Sequence, residues 1–204
     1  NVINEKLLNT VLGSPVNDAR VAAATVKQFW DRDPRKIAPG GNQPIAEVKP
    51  EMTPDTELAK RGFSKADIAQ YKLGAKVFMR EGHCATCHQE NGMGLPAAQF
   101  PPIAGTRWAQ GNEERLIKLT LNGLIGPIEV KGINYPGQVP MTQFRGLSDI
   151  EIAAVLTYVR NAWGNKASVI TPAKVKAVRS TIKNHTGFYE ASNLLKDHPH
   201  KYAN

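Results

Sequence analysis

Apolar residues recur at helical spacing in the middle of the chain, and no long stretch alternates apolar with polar residues. After Ser64 the apolar positions fall three to four residues apart, at Ile68, Tyr71, Ala75 and Phe78, as on one face of an α-helix. Residues 113–122 and 149–161 carry two further stripes. Because a half-buried β-strand needs alternation, the pattern predicts an all-α fold with about three core helices.

Residues that cap helix N-termini stand before each of these stripes. Ser64 is followed three residues later by Asp67, and Ser148 by Glu151, the spacing of a capping box. Asn112 precedes the middle stripe, which ends at Gly123; Asn and Gly are favoured at these two helix ends. The caps predict where the three helices begin.

The segments on either side of this region have different patterns. Residues 1–63 open with two apolar-periodic stretches and continue into residues 33–54, which contain seven Pro or Gly residues and therefore read as a linker. Residues 166–204 predict one helix, capped by Thr171 and Pro172, with a buried stripe at Val175, Val178 and Ile182. We expect a helical extension and linker over 1–63, a central domain over 64–165, and a basic C-terminal helix and tail over 166–204.

Composition and charge limit the class of protein and show where the excess positive charge lies. The chain is 41% hydrophobic and 22% charged, as is ordinary for a globular protein. It has no apolar run near the roughly 20 residues of a membrane span, and no signal peptide is visible near Asn1. Residues 166–204 hold seven Lys or Arg against two Asp or Glu, a net +5 of the total +8. These charges either steer an acidic partner or form a solvated helix face.

The two cysteines lie in one short motif. Residues 84–88 read Cys84-Ala85-Thr86-Cys87-His88, the C-x-x-C-H spacing of covalent haem attachment. Two thiols three positions apart can each form a thioether to one haem vinyl group, and the adjacent His88 can then reach the iron. The motif predicts one haem c bound through Cys84, Cys87 and His88.

Three other interpretations of the cysteine pair are weaker. A thioredoxin-like pair should open a helix in a βαβ setting, whereas here a predicted helix ends before the motif. A disulfide between Cys84 and Cys87 would close too short a loop to stabilise much. A zinc site would need two further ligands at tight spacing, and the chain has no second pair of this kind.

A second axial iron ligand must come from elsewhere in the chain. Met79 precedes the motif in a predicted helix, Met93 follows His88 too closely to cross the ring, and Met52 lies in the Pro-rich segment. Met141 lies 53 residues after His88 in a Pro-containing loop and is the strongest candidate. The histidines of the C-terminal tail remain rivals: His185, His198 and His200.

Over residues 64–165 the sequence resembles a class I c-type cytochrome, most closely the cytochrome domains associated with bacterial quinoprotein dehydrogenases. Residues 74–78 resemble the Gly-x-x-x-aromatic stretch of that family's first helix. The resemblance implies that Gly74 lets the terminal helix approach closely and that Tyr158 packs at the crossing. Residues 122–128 and 147–165 also match the family's pattern.

The resemblance also implies roles around the haem. Residues 100–105 resemble the loop whose proline carbonyl holds the proximal histidine, a role carried over to Pro102. Arg107 and Trp108 would lie near the haem propionates. Residues 141–144 read Met-Thr-Gln-Phe where those subgroups often have Met-Pro-Pro-Phe, so the sulfur is retained but the turn after it is less rigid.

Residues 7–30 look like one helical-repeat unit of the kind that precedes the cytochrome domain in some large bacterial dehydrogenases. This segment would dock on the haem domain or on a partner chain.

Together these features predict an electron-transfer protein rather than an enzyme. Its partners would be a dehydrogenase donor and an oxidase or cytochrome acceptor, with no nucleic acid and no transmembrane segment. Covalent haem attachment implies a periplasmic or otherwise extracytoplasmic location, with a signal peptide removed. One alternative is a peroxidase-like haem enzyme, with Gln143 and Arg145 beside an open iron; another is a haem-based sensor.

Overall fold

The computed structural model describes residues 50–80 and 83–200. These residues lie within one compact unit, Lys49–Asn204. The helices predicted in residues 1–30, most of the linker and the helix stop at Gly82 lie outside the described residues.

The described part of the chain is mainly helical. Its α-helices, in chain order, are α1 Asp55–Lys60, α2 Lys65–Met79, α3 Cys84–His88, α4 Arg107–Gln110, α5 Glu113–Asn122, α6 Asp149–Val159, α7 Pro172–Thr181 and α8 Ala191–Asp197. The strands are β1 Leu124–Ile125, β2 Ile128–Val130, β3 Ile133–Tyr135 and β4 Tyr189–Glu190. In this part no helix is both long enough and apolar enough to cross a bilayer.

The predicted helix caps are confirmed. The Ser64 hydroxyl accepts from the Asp67 backbone N–H at 3.1 Å, and the Asp67 carboxylate accepts from the Ser64 N–H at 2.9 Å. Ser148 and Glu151 form the same reciprocal pair at α6. Asn112 and Thr171 accept from backbone N–H groups at the starts of α5 and α7. Local sequence therefore sets where these helices begin.

Helices α2 and α6 form the principal helix–helix contact of the core. They approach so closely at Gly74 that a Cβ atom there would overlap the Ala154 carbonyl oxygen and lie 2.8 Å from Cβ of Tyr158. Gly74 therefore allows the close approach of the two helices, and Tyr158 packs at the crossing, as the sequence predicted. The Tyr158 ring also packs at 5.3 Å, between centroids, from the rings of Tyr71 and Phe78.

Short β-structure departs from the all-α expectation. Strands β2 and β3 form an antiparallel hairpin, and β1 pairs in parallel with β4. The hairpin falls within residues 126–146, which the sequence indicated as irregular, because three-residue strands are too short to show alternation. The coarser expectation, a mainly helical fold, is confirmed.

The described parts of the flanking segments, residues 50–63 and 166–200, pack on the same core. The backbone N–H of Thr53 donates to the Tyr71 hydroxyl at 2.9 Å, and the Tyr158 hydroxyl donates to the Glu51 carbonyl at 2.9 Å. Helix α7 buries its predicted stripe, Val175, Val178 and Ile182. Beyond α7, β4 and α8 give the tail regular structure that the sequence pattern missed.

The Gly74 crossing gives a stability test. We expect Gly74→Ala to lower the free energy of unfolding by about 2–3 kcal/mol, because overlap with Ala154 outweighs the roughly 1 kcal/mol that alanine gains in helix propensity. Gly146→Ala is the control, since nothing lies within 4 Å of a Cβ there; we expect a change within about 0.5 kcal/mol. Denaturant titrations measure both changes. Equal losses of unfolding free energy in the two variants would contradict the argument that the helices touch at Gly74.

Candidate functional site

The cysteine motif forms a single helical turn, α3, between two residues with left-handed backbone. His83 before it has φ 48° and Gln89 after it has φ 59°. The turn places Cys84, Cys87 and His88 on five consecutive helical residues. The motif starts a short helix, as a thioredoxin-like pair would, and the sequence argument did not expect this helix. The described residues around the motif form no βαβ unit, however, so the setting of such a pair is missing there.

The His88 ring is held by one backbone carbonyl. Its Nδ1 lies 2.9 Å from the carbonyl oxygen of Pro101. The assignment to Pro102 is therefore wrong by one residue: the two adjacent prolines cannot be distinguished by sequence pattern, and backbone direction decides which carbonyl faces the ring. Holding Nδ1 fixes the ring and leaves Nε2 as the nitrogen for a metal.

The loop that carries Pro101 is anchored at both ends. The Gly92 carbonyl accepts from the backbone N–H groups of Ile103 and Ala104 at 2.8 and 2.9 Å. The Trp163 indole donates to the Glu90 carbonyl at 2.9 Å, and the Asn165 side chain accepts from the Gly105 N–H at 2.7 Å. The segment that follows α6 thus fixes the loop.

Burial keeps the motif neutral. Desolvation raises the pKa of the Cys84 thiol to about 12 and raises that of Cys87. It lowers the pKa of His88, against the opposing effect of the Pro101 hydrogen bond. A neutral imidazole is the form that binds iron. Among the described residues no group of three or more His, Cys, Asp or Glu side chains is arranged to hold a metal ion.

Met141 is fixed through its backbone. Its N–H donates to the Leu124 carbonyl at 2.9 Å, and its carbonyl accepts from the Leu124 N–H at 3.1 Å. The side chain is partly buried and packs against the core. Met79 also packs against the core, as predicted, whereas Met93 and Met52 are exposed.

The tail histidines each contact another side chain. His198 Nε2 lies 3.0 Å from the Lys118 ammonium. The His200 ring meets Trp108 edge-on at 5.1 Å between centroids. The His185 ring stacks on Tyr189 at 4.0 Å, and its Nε2 is buried without a hydrogen-bond partner among the described residues.

Arg107 and Trp108, the first two residues of α4, both contact Glu129 of β2. The Arg107 guanidinium pairs with the Glu129 carboxylate at 2.5 Å, and the Trp108 indole donates to the Glu129 carbonyl at 2.9 Å. Next to them lies Arg115, a residue the sequence analysis missed. Its guanidinium is fully buried 4.7 Å from the centre of the Trp108 ring, and no carboxylate pairs with it in the described part.

Two buried donors here have no partner among the described residues, Arg115 Nε and Tyr135 Oη. Sequence pattern gave no signal for them, because a buried arginine on an amphipathic helix reads as a surface one. The other two guanidinium nitrogens of Arg115 donate to the His198 and Arg107 carbonyls at 2.8 and 2.9 Å. Burying a polar group without a hydrogen bond is costly, so Arg115 Nε and Tyr135 Oη would each be stabilised by an acceptor such as a bound carboxylate.

The comparisons with known proteins agree with this geometry. Residues 71–163 match the family model for Cytochrome c. The chain is 44% identical over 116 residues to cytochrome c-552 of Thermus thermophilus, covering 52% of this chain and 84% of that protein. The chain belongs to the cytochrome c family. It is therefore an electron carrier with a covalently bound haem c.

Dehydrogenase subunits are also among the relatives of this cytochrome. One is the cytochrome c subunit of the quinone alcohol dehydrogenase of Gluconacetobacter polyoxogenes, at 35% identity over 53% of this chain. Another is the fructose dehydrogenase cytochrome subunit of Gluconobacter japonicus, at 32% identity over 57% of this chain. The chain spans only 22% and 24% of those two proteins.

The residues present fit a haem. No disulfide joins Cys84 to Cys87, and the His88 ring is oriented through Nδ1. Arg115 Nε and Tyr135 Oη are buried donors that would suit carboxylates such as the haem propionates.

We expect the haem to remain on the polypeptide after acid–acetone extraction, so that the intact mass exceeds that of the chain by one haem. Cys84→Ala and Cys87→Ala should each retain the haem through one thioether, and the double variant should release it. Release from the wild-type chain would refute the attachment.

Proposed function

We propose that this cytochrome carries single electrons from an extracytoplasmic dehydrogenase to a respiratory acceptor, with Cys84 and Cys87 as haem attachment points and His88 and Met141 as axial ligands. Residues 64–165 would form the monohaem domain, and residues 1–63 and 166–204 would be its N-terminal and C-terminal extensions. Arg107 and Trp108 would lie on the propionate side, next to Arg115.

The observation that carries the proposal is that both candidate ligands are fixed through hydrogen bonds with backbone partners. His88 is held through its ring by the Pro101 carbonyl, and Met141 through both its backbone groups by Leu124. Ligands fixed in this way change little between two oxidation states of one metal. Rapid electron transfer requires such small rearrangement.

The bound haem would supply the one-electron couple, with a potential raised by methionine ligation. The chain's own residues would orient the imidazole, present the sulfur and keep water away. A raised potential favours accepting electrons from a dehydrogenase.

The tail histidines are weaker ligand candidates on these contacts. His198 is engaged with Lys118 and His200 packs on Trp108. His185 is the remaining rival, because its Nε2 is unpartnered in the described part.

The peroxidase-like alternative requires Gln143 and Arg145 to act together beside an open iron, and their contacts do not support this. Gln143 is exposed, and the Arg145 guanidinium lies within hydrogen-bonding distance of Asn122 Oδ1 and of the Ile182 and His185 carbonyls. An arginine committed to these acceptors is not free to assist Gln143. The sensor alternative gains no support from the described residues.

The relatives support the proposed partner. Several are cytochrome subunits of alcohol, fructose or gluconate dehydrogenases, which supports a dehydrogenase as electron donor and a role as subunit or docked partner. Covalent haem attachment supports an extracytoplasmic location.

We expect Met141→Ala to abolish the near-infrared sulfur-to-iron band of the oxidised protein, to lower the reduction potential and to open the iron to carbon monoxide. The physical reason is the loss of the sulfur ligand. Met93→Ala is the matched control, because that methionine is 52% exposed, and it should keep the band. If the wild-type chain lacks the band, and His185→Ala rather than Met141→Ala opens the iron to carbon monoxide, the ligand is His185.

The basic residues of α7 do not form a free patch. Lys174 pairs with Glu113 at 3.4 Å and Arg179 with Asp149 at 2.8 Å. Lys176 and Lys183 remain as exposed charges without an ion pair in the described part. The two ion pairs support the hypothesis that the charges of α7 form a solvated helix face, rather than the hypothesis that they steer an acidic partner.

We therefore expect Lys176→Glu combined with Lys183→Glu to change the rate of reduction by a redox partner by no more than about twofold. Stopped-flow reduction over a salt series, up to 0.15 M where the Debye length is about 8 Å, measures it. A steep fall of the wild-type rate with salt, absent in the double variant, would instead establish steering by α7.

A further inference from the structure

The C-terminal part of the chain contacts the polypeptide on both sides of Met141. We call residues 182–190, which connect α7 to β4 and include β4, the C-terminal brace. The inference below rests on the proposed role of Met141 as the iron ligand and gives residues 182–190 a role in it.

On one side the brace is tied to Arg145, four residues after Met141. Nη2 of Arg145 lies 2.9 Å from the Ile182 carbonyl and 3.0 Å from the His185 carbonyl. The same nitrogen lies 2.8 Å from Oδ1 of Asn122, at the end of α5. One cationic side chain therefore joins the segment after Met141, helix α5 and the brace.

The backbone around Arg145 is held as well. Arg179 of α7 donates to the Arg145 carbonyl at 3.0 Å and to the Leu147 carbonyl at 2.8 Å. The Phe144 N–H donates to the Thr120 carbonyl at 3.1 Å. Residues 144–147 are thus attached to α5 and α7 at several points.

On the other side the brace reaches Met141 through β1. Leu124 pairs with Met141 on one edge and with Tyr189 of β4 on the other. The Tyr189 N–H donates to the Gly123 carbonyl at 3.1 Å. Leu124 therefore lies between the Met141 backbone and the brace.

Gly123 shows how closely these parts pack. A Cβ atom at Gly123 would overlap the Met141 carbonyl oxygen and lie 2.7 Å from the Phe188 ring. A movement of Met141 away from this position would disturb Leu124, Gly123 and Phe188 together. It would also strain the Arg145 contacts four residues away.

We propose that Arg145 is a positioning residue for Met141, and that the C-terminal brace acts through it and through β1 to slow departure of the methionine sulfur from the iron. A methionine ligand leaves when its loop moves outward. Because the brace is tied to Arg145 after Met141 and, through Leu124, to the Met141 backbone, its contacts must loosen before the sulfur departs.

The test uses the full-chain oxidised holoprotein and cyanide as the probe. At saturating cyanide and fixed pH, the observed binding rate reports methionine departure. We expect Arg145→Gln to raise this limiting rate on the order of tenfold, as the loss of hydrogen bonds from a charged donor implies. Arg145→Lys, which keeps the charge, should restore part of the wild-type rate.

Arg160→Gln is the matched control. Arg160 is another buried arginine that binds backbone carbonyls, those of Ala109, Gly111 and Ser168 at 2.9–3.0 Å. It also joins the C-terminal segment to the rest of the fold, but not at Met141. We expect it to lower the midpoint of denaturant unfolding and to leave the limiting cyanide rate unchanged.

Three results would overturn the inference: no rate change in Arg145→Gln, an equal change in Arg160→Gln, or no rescue by lysine. If Arg145→Gln fails to fold, Phe188→Ala tests the brace at its other contact, beside Gly123. Phe188 is 40% exposed, so its truncation should accelerate cyanide binding without unfolding the chain. An unchanged rate there would also overturn it.

Met141→Ala, measured in parallel, separates the two proposals. If that variant keeps the near-infrared band, the ligand assignment fails and the inference fails with it. If that variant loses the band while Arg145→Gln leaves the limiting rate unchanged, only the inference fails.

Discussion

The close crossing of α2 and α6 at Gly74 is the contact on which the site depends. Helix α2 leads into the cysteine motif, and the chain beyond α6 carries Trp163 and Asn165. Because a glycine lets the two backbones touch, these helices act as one rigid body. The start of the motif and the anchors of the loop that holds His88 are therefore fixed relative to each other.

The two candidate iron ligands are supported by different parts of the chain. The His88 side relies on the loop of residues 90–105, which folds back on itself and is fastened to the segment that follows α6. The Met141 side relies on β1, Arg145 and residues 182–190. Separate supports suit an electron carrier, since each ligand is held without straining the other.

Sequence reasoning succeeded where the signal is local. The caps at Ser64, Asn112 and Ser148 set helix starts because the capping group lies within three residues of its partner. It failed for the carbonyl that holds His88, since Pro101 and Pro102 are equivalent as sequence and only the path of the loop selects one. It also failed for the β2–β3 hairpin, whose strands are too short to show a period.

By itself the sequence determined the haem chemistry and the mainly helical core, because a five-residue motif and a 3.6-residue period are both contained within short stretches of chain. The tertiary structure alone decided which buried groups lack partners, as at Arg115, and which distant segments brace Met141. Those features depend on contacts outside any one element, such as that of Arg145 with His185, 40 positions away. No local pattern records such contacts.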